Sequence, residues 1–130
     1  ALTGFELDLE YFKRFKKRPM PLDYMNRKLG KPLKEYCNIL MAHNPEYFEE
    51  YAKWGADLVL SGHVHGGIMR LPLVGGVISP AYTLFPKYDG GIFHSGKTTM
   101  LLGRGMGSHT IQLRFLNPAE LYVVDLVKGE

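Results

Sequence analysis

The stretch from Asn38 to Gly62 leaves this chain few ways to fold. A short apolar run, "NILMA" at residues 38–42, is fit for a buried strand and ends on His43. Asn44 then offers helix-capping chemistry, Pro45 suits a first helical position, and Glu46 suits the positive end of a helix. The spacing predicts a helix through Trp54 that buries Tyr47, Phe48, Tyr51, Ala52 and Trp54, with Gly55 as its stop. A second apolar run, Leu58 to Leu60, delivers His63. Strand, helix and strand with tight ends make a βαβ unit, so the two strands are expected to be parallel with a right-handed crossover.

On either side the texture differs. Asp8 to Arg18, "DLEYFKRFKKR", places Tyr11, Phe12 and Phe15 on one helical face and basic residues on the others, until Pro19 and Pro21 end the run. A further helical turn is expected around Tyr24 to Leu29. After Gly67 come short β-branched and aromatic runs punctuated by Gly and Pro: "IMRLPLV", "VIS", "GIF", "TTMLLG", "IQLRF" and "AELYVVDLV". These predict a mostly antiparallel sheet, with the last run the clearest strand. The 130 residues are 45% apolar, about one domain's length with enough to bury a core, and 15 Gly with 8 Pro favour short strands and tight turns. The fold class expected is α/β with α+β character: a βαβ unit leading into mostly antiparallel strands.

Charge is uneven rather than extreme. The formal net charge is +3 and the pI about 9.0, and nine of the sixteen Lys and Arg fall between Lys13 and Lys34. A solvated basic face is the simplest account of Lys13, Arg14, Lys16, Lys17 and Arg18. Docking on an anionic membrane surface or substrate rim is a weaker reading, and nucleic acid is not expected. Cys37 is the single cysteine, which excludes an internal disulfide and a CxxC metal knuckle. No run approaches the roughly 18 apolar residues of a membrane span, and no basic region followed by an apolar stretch marks a signal peptide.

Three histidines carry the chemistry. The βαβ reading puts His43, His63 and His65 at the C-terminal ends of neighbouring parallel strands, where open α/β sheets form their ligand crevice. In an extended "GHVH" the two histidines would project to one side, with Gly62, Gly66 and Gly67 permitting close approach. Neutral imidazole is a common transition-metal ligand, so the three read as an incomplete metal site. His94 and His109 read as ordinary hydrogen-bonded or surface residues.

Competing motifs are weaker. Gly91 to Thr98, "GIFHSGKT", satisfies GxxxxGK[ST] but has no buried strand before it and no long helix after it, so a hairpin with a polar turn is the better reading. "GRGMG" at 103–107 does not match GxGxxG and reads as a loop. A Cys37–His43 nucleophile and base would sit at opposite ends of one strand, so Cys37 reads as a core or boundary residue.

At "LMAHNPEYF" from Leu40 and "LSGHVHGG" from Leu60 the chain resembles the calcineurin-like metallophosphoesterases, in their bacterial phosphodiesterase branch. The likeness continues through "LPLVGGVISPAY", "GRGMG" and "IQLRFLNPAEL". It implies an αββα sandwich around two metals and a hydrolase acting on a phosphoester substrate, a phosphodiester or a monoester. The ions implied are manganese, iron, zinc or nickel. His43 and His63 would bind one and His65 the other, and a metal-bridging hydroxide would attack phosphorus in line. Arg104 is the residue the resemblance offers as a substrate phosphate contact, while no catalytic acid is found here. The family's DxH, GD and GNH[DE] motifs do not occur in the sequence. Residues 1–130 are therefore expected to be the C-terminal part of one such domain, inactive without the N-terminal half, which becomes its first partner. Localisation would be cytoplasmic, or membrane-associated through that N-terminal segment. The alternative function is a non-catalytic module that binds anions or a membrane surface and carries a single histidine metal site.

Overall fold

The computed structural model describes residues 1–12, 17–67, 69–79, 84–107 and 114–127. Seven strands run in chain order as β1 Leu2–Phe5, β2 Ile39–Ala42, β3 Leu58–Ser61, β4 Met69–Leu71, β5 Gly75–Ile78, β6 Gly91–Ser95 and β7 Thr98–Leu102, with helices α1 Leu22–Leu29 and α2 Phe48–Trp54. Five strands form one sheet in the order β1-β2-β3-β7-β6, and β4 and β5 form a separate antiparallel pair. The first four of that sheet are mutually parallel, and β6 returns antiparallel to β7. The α/β class and the parallel β2–β3 pair thus stand as expected.

The sheet buries one face by alternation. Leu40 and Ala42 of β2, Val59 of β3, and Thr98, Met100 and Leu102 of β7 all point inward. Against them pack Tyr47, Phe48, Tyr51 and Trp54 around α2, and Tyr24 and Met25 of α1. Burying each such aromatic contributes about 1.5–3 kcal/mol of transfer free energy. The other face carries Ile39, Met41, Leu58, Leu60 and Leu101, none of them buried.

The crossover follows its local chemistry. Asn44 Oδ1 accepts from the Glu46 backbone N–H at 3.0 Å, Pro45–Tyr47 make a 3-10 turn, and α2 runs from there to Gly55, whose φ of 110° ends it. Tyr51 donates its hydroxyl to the Asn44 carbonyl at 2.8 Å, and Trp54 Nε1 donates to the Gly30 carbonyl at 2.9 Å. The P-loop look-alike is a hairpin: β6 and β7 pair from Gly91–Leu102 to Ser95–Thr98, with Gly96 at φ 57° in the turn. His94 Nδ1 lies 3.2 Å from Thr99 Oγ1 across it.

Several expectations need correcting. Strand β1 had no clear pattern in sequence; it adds to the sheet edge through pairing with β2, and Leu2 stays 65% exposed. Of the helix expected over 8–18, the described residues show a 3-10 turn at Leu9–Phe12, with Lys17 and Arg18 outside any helix. Pro19 disfavours helical backbone at the residue before it. Residues 13–16, with Lys13, Arg14, Phe15 and Lys16, lie outside the described residues, as does His109. The two described cations of the basic run are turned to the protein, Lys17 to the Glu46 carbonyl and Glu50, Arg18 to Glu10. Cys37 is exposed rather than core. "AELYVVDLV" forms no strand: no described residue supplies it with a ladder, and Leu121, Val123, Leu126 and Val127 stay exposed despite their alternation. Of "IQLRF", residues 111–113 are outside the described set, and Phe115 makes a single bridge to Met69. No helix among the described residues is long and apolar enough to cross a membrane.

Candidate metal centre

Parallel pairing of β2 and β3 brings His43 and the 62–67 turn to one sheet edge. The His43 carbonyl accepts from the Gly62 backbone N–H at 3.3 Å and from Ser61 Oγ at 3.2 Å, which ties the two strand ends together. The His43 ring lies over Gly62, where a Cβ would sit 3.8 Å from Nδ1. Its centroid is 4.9 Å from that of His63, with the planes at 69°. Phe12 closes the far side of His63, edge to face at 5.5 Å. His43 is exposed and His63 half-buried, so the pair opens to solvent on the His43 side.

His65 goes elsewhere. The turn is not extended: His63 has φ 70°, His65 φ 48°, Gly66 φ 72° and Gly67 φ 85°. Left-handed backbone costs an L-residue roughly 1–2 kcal/mol, so two histidines held there need support from outside. Within the turn, Val64 N–H donates to the Gly62 carbonyl and Gly67 N–H to the Val64 carbonyl, each at 2.8 Å. Coiled this way, the segment is not the extended one on which the expected common projection of His63 and His65 rests. The His65 imidazole instead lies beside the 103–107 loop, where a Cβ on Gly107 would be 3.5 Å from its Cε1. Among the described residues no group of three or more His, Cys, Asp or Glu is gathered to hold one ion.

Arginines brace this region. Arg70 Nη1 donates to the Gly66 carbonyl at 3.2 Å and the Asp89 carbonyl at 2.7 Å, and pairs with Asp89 Oδ2 at 3.1 Å. Arg114 gathers the 103–107 loop by donating to the carbonyls of Arg104, Gly105 and Gly107 at 2.7, 3.1 and 2.6 Å. Arg104, expected at a substrate phosphate, gives both prongs of its fork to Glu120. That guanidinium holds the Glu120 carboxyl down to about 2, well below the usual carboxylate range, and Glu120 in turn raises Arg104. Glu120 thus occupies the Nε/Nη2 edge of the guanidinium.

Asn117, almost fully buried, donates Nδ2 to the carbonyls of His65 and Gly67. Neither it nor Arg70, Arg114 or Glu120 stood out in sequence. Their partners lie up to 52 residues away, and only the buried Asn before a Pro was a local signal.

Known proteins match much of the chain. The chain is 36% identical over 89 residues to the metallophosphoesterase YkuE of Bacillus subtilis, covering 68% of this chain and 30% of that protein. To phosphodiesterase YaeI of Escherichia coli it is 37% identical over 70 residues, covering 54% and 25%. To a metallophosphoesterase of Helicobacter pylori it is 32% identical over 121 residues, covering 91% and 30%. The chain thus spans between a quarter and a third of the length of these relatives. No family model matches it, and no solved structure does.

Proposed function

The chain belongs to the metallophosphoesterase family, and on that premise we propose that His43, His63 and His65 are ligands of a divalent-metal centre that hydrolyses phosphoesters. The observation that carries this reading is the His43–His63 pair, two imidazoles edge to face 4.9 Å apart at the ends of adjacent parallel strands. With metal–nitrogen distances of about 2.0–2.1 Å, two rings on one ion stand roughly 5–6 Å apart, so the donors suit a shared ion. His65, beside the 103–107 loop, would serve a second. Two divalent ions, when bound, supply Lewis acidity for the phosphoryl group and activate water at neutral pH.

This chain's own part is to hold imidazoles. Gly62 leaves room for the His43 ring, Phe12 limits the rotation of His63, and the 103–107 loop walls His65. Other ligands, carboxylates in particular, would come from residues outside these 130, a reading favoured by how far the relatives extend beyond the matched stretch. Phosphodiesters are the preferred substrate class because one relative is named for that activity. The 130 residues alone are expected to hydrolyse bis-p-nitrophenyl phosphate at background rate.

Calorimetric titration with nickel or zinc tests the reading. His43→Ala and His63→Ala should each weaken the same binding event, His65→Ala a different one, and His94→Ala neither. Wild-type affinity in both His43→Ala and His63→Ala would sink it.

A further inference from the structure

The turn that carries the histidines holds its first half by itself and its second half by proxy. Its internal hydrogen bonds end on the carbonyls of Gly62 and Val64, and His43 and Ser61 brace the same end. The next three carbonyls, those of His65, Gly66 and Gly67, are taken from outside: Arg70 holds the middle one, and Asn117 holds the other two. Asn117 is 3% exposed, lies 52 and 50 residues from its two acceptors, and donates to them at 2.7 and 2.8 Å.

The rest of that carboxamide shows what it is for. Asn117 Oδ1 is buried and has no hydrogen-bond partner among the described residues, and it stands 2.5 Å from where a Cβ on Gly66 would be. A buried carbonyl without a donor is an unfavourable arrangement that most proteins avoid. Exchanging O and N would set an oxygen against two carbonyl oxygens, so the network fixes the orientation as it stands. The side chain therefore keeps an unfavourable end in order to supply two donors that straddle Gly66. Clamping carbonyls on both sides of one left-handed glycine fixes the peptide that leaves His65, and with it the direction in which the His65 side chain starts.

We propose that Asn117 is a positioning residue for the phosphoesterase centre: through the carbonyls of His65 and Gly67 it sets where His65 presents its imidazole. This deepens, and rests on, the reading of His65 as a metal ligand. It separates the two halves of the centre, because the bonds that tie His43 run to Gly62 and Ser61 while those of Asn117 run to His65 and Gly67. Outer residues that orient a ligating histidine typically change metal affinity roughly ten- to a hundred-fold when removed.

The test uses the 130-residue chain labelled with 15N, imidazole spectra of its histidines, and nickel titration. Asn117→Ala removes the clamp, and Asn117→Asp keeps its volume while removing both donors. In each, the His65 imidazole signals should shift and broaden before any metal is added, while His43, His63 and the Trp54 indole N–H stay in place. Nickel binding reported by His65 should weaken roughly ten-fold or more, with binding at His43 and His63 unchanged. If His65 keeps its wild-type spectrum in both variants, the proposal is wrong. Loss of the Trp54 signal and all three histidines together in both variants would make Asn117 a general stability residue and likewise overturn it. A wild-type His65 untouched by nickel or zinc would remove the ligand reading, while the metal-free spectra would still decide whether Asn117 directs the ring.

Discussion

Arg104 and Glu120 meet in a two-pronged ion pair, Nε to Oε2 at 2.9 Å and Nη2 to Oε1 at 2.6 Å. The Glu120 backbone N–H also donates to the Gly105 carbonyl at 3.1 Å, so the pair closes the segment after Pro118 onto the 103–107 loop. The stem of Arg104 covers both Gly66 and Gly90, each leaving 2.8 Å between its missing Cβ and Arg104 Cγ. One side chain thus links the histidine turn, the loop that walls His65, and the C-terminal segment. It does so with its Nε/Nη2 edge held by Glu120.

That pair predicts an acid-sensitive share of stability. Glu120 titrates near 2 in the folded chain against an ordinary value of 4.5, and a depressed carboxyl stabilises the fold above its unfolded pKa and loses that contribution as pH falls through the folded one. Both side chains are about one-fifth exposed, so solvent screening reduces the contribution to about 1–2 kcal/mol. Urea midpoints of wild type and Glu120→Gln should differ by a constant amount above pH 5 and converge between pH 4.5 and 2. A difference that persists unchanged to pH 2 would show that the pair does not act through ionisation.

Two glycines in left-handed backbone should respond very differently to alanine. At Gly66, φ 72°, a Cβ would stand 2.5 Å from Asn117 Oδ1 and 2.7 Å from Arg104 Cδ, whereas at Gly96, φ 57°, it would meet nothing within 4 Å. Gly96→Ala should cost about 1 kcal/mol from backbone strain alone. Gly66→Ala adds overpacking and should cost about 2–4 kcal/mol in chemical denaturation. Equal losses in the two variants would mean that the turn relaxes freely around position 66.

Much of the crossover was legible because its signals are local. Asn44, Pro45 and Gly55 sit where helix ends demand them, and the short apolar runs ending at Ala42 and Ser61 are strands as expected, though each buries only one face. The histidine turn was legible as a site but not as a shape. Positive φ at His63 and His65 goes with a turn whose His65 and Gly67 carbonyls are bonded by Asn117 from about fifty residues away, and no spacing rule within "GHVHGG" reports it. Strand β1 and the unpaired run at Leu121–Val127 mark the same limit from two sides: pairing depends on a neighbour, and alternation alone neither provides nor excludes one.

The GxxxxGK[ST] match should have no nucleotide behind it. Gly96 and Lys97 form the two-residue turn of the β6–β7 hairpin, and both are exposed. A phosphate cradle needs consecutive backbone N–H groups at a helix start, and here the following residues enter a strand. Fluorescent ATP should show no saturable binding to the wild-type chain, and Lys97→Ala should leave stability within about 0.5 kcal/mol. Saturable binding lost in Lys97→Ala would reverse this judgement.

The link from the core to His43 can be cut with a single atom. Tyr51 is fully buried, burial pushes its phenol up far out of the physiological range, and its hydroxyl donates to the carbonyl of Asn44, the residue after His43. Tyr51→Phe keeps the ring's contacts with Phe5 and leaves that carbonyl without its donor in a buried setting. An unpaired buried acceptor costs about 1–3 kcal/mol, so urea denaturation should register a loss of about 1–2 kcal/mol. Because Asn44 also caps the 3-10 turn through its side chain, the loosened peptide should be felt on both sides of it. Amide exchange at Glu46 should quicken, and the His43 ring should shift relative to His63, whereas His65, tied to Asn117, should not move. A variant with wild-type stability would mean that water or a shifted backbone satisfies the Asn44 carbonyl, and that His43 is held by the Ser61 and Gly62 contacts alone.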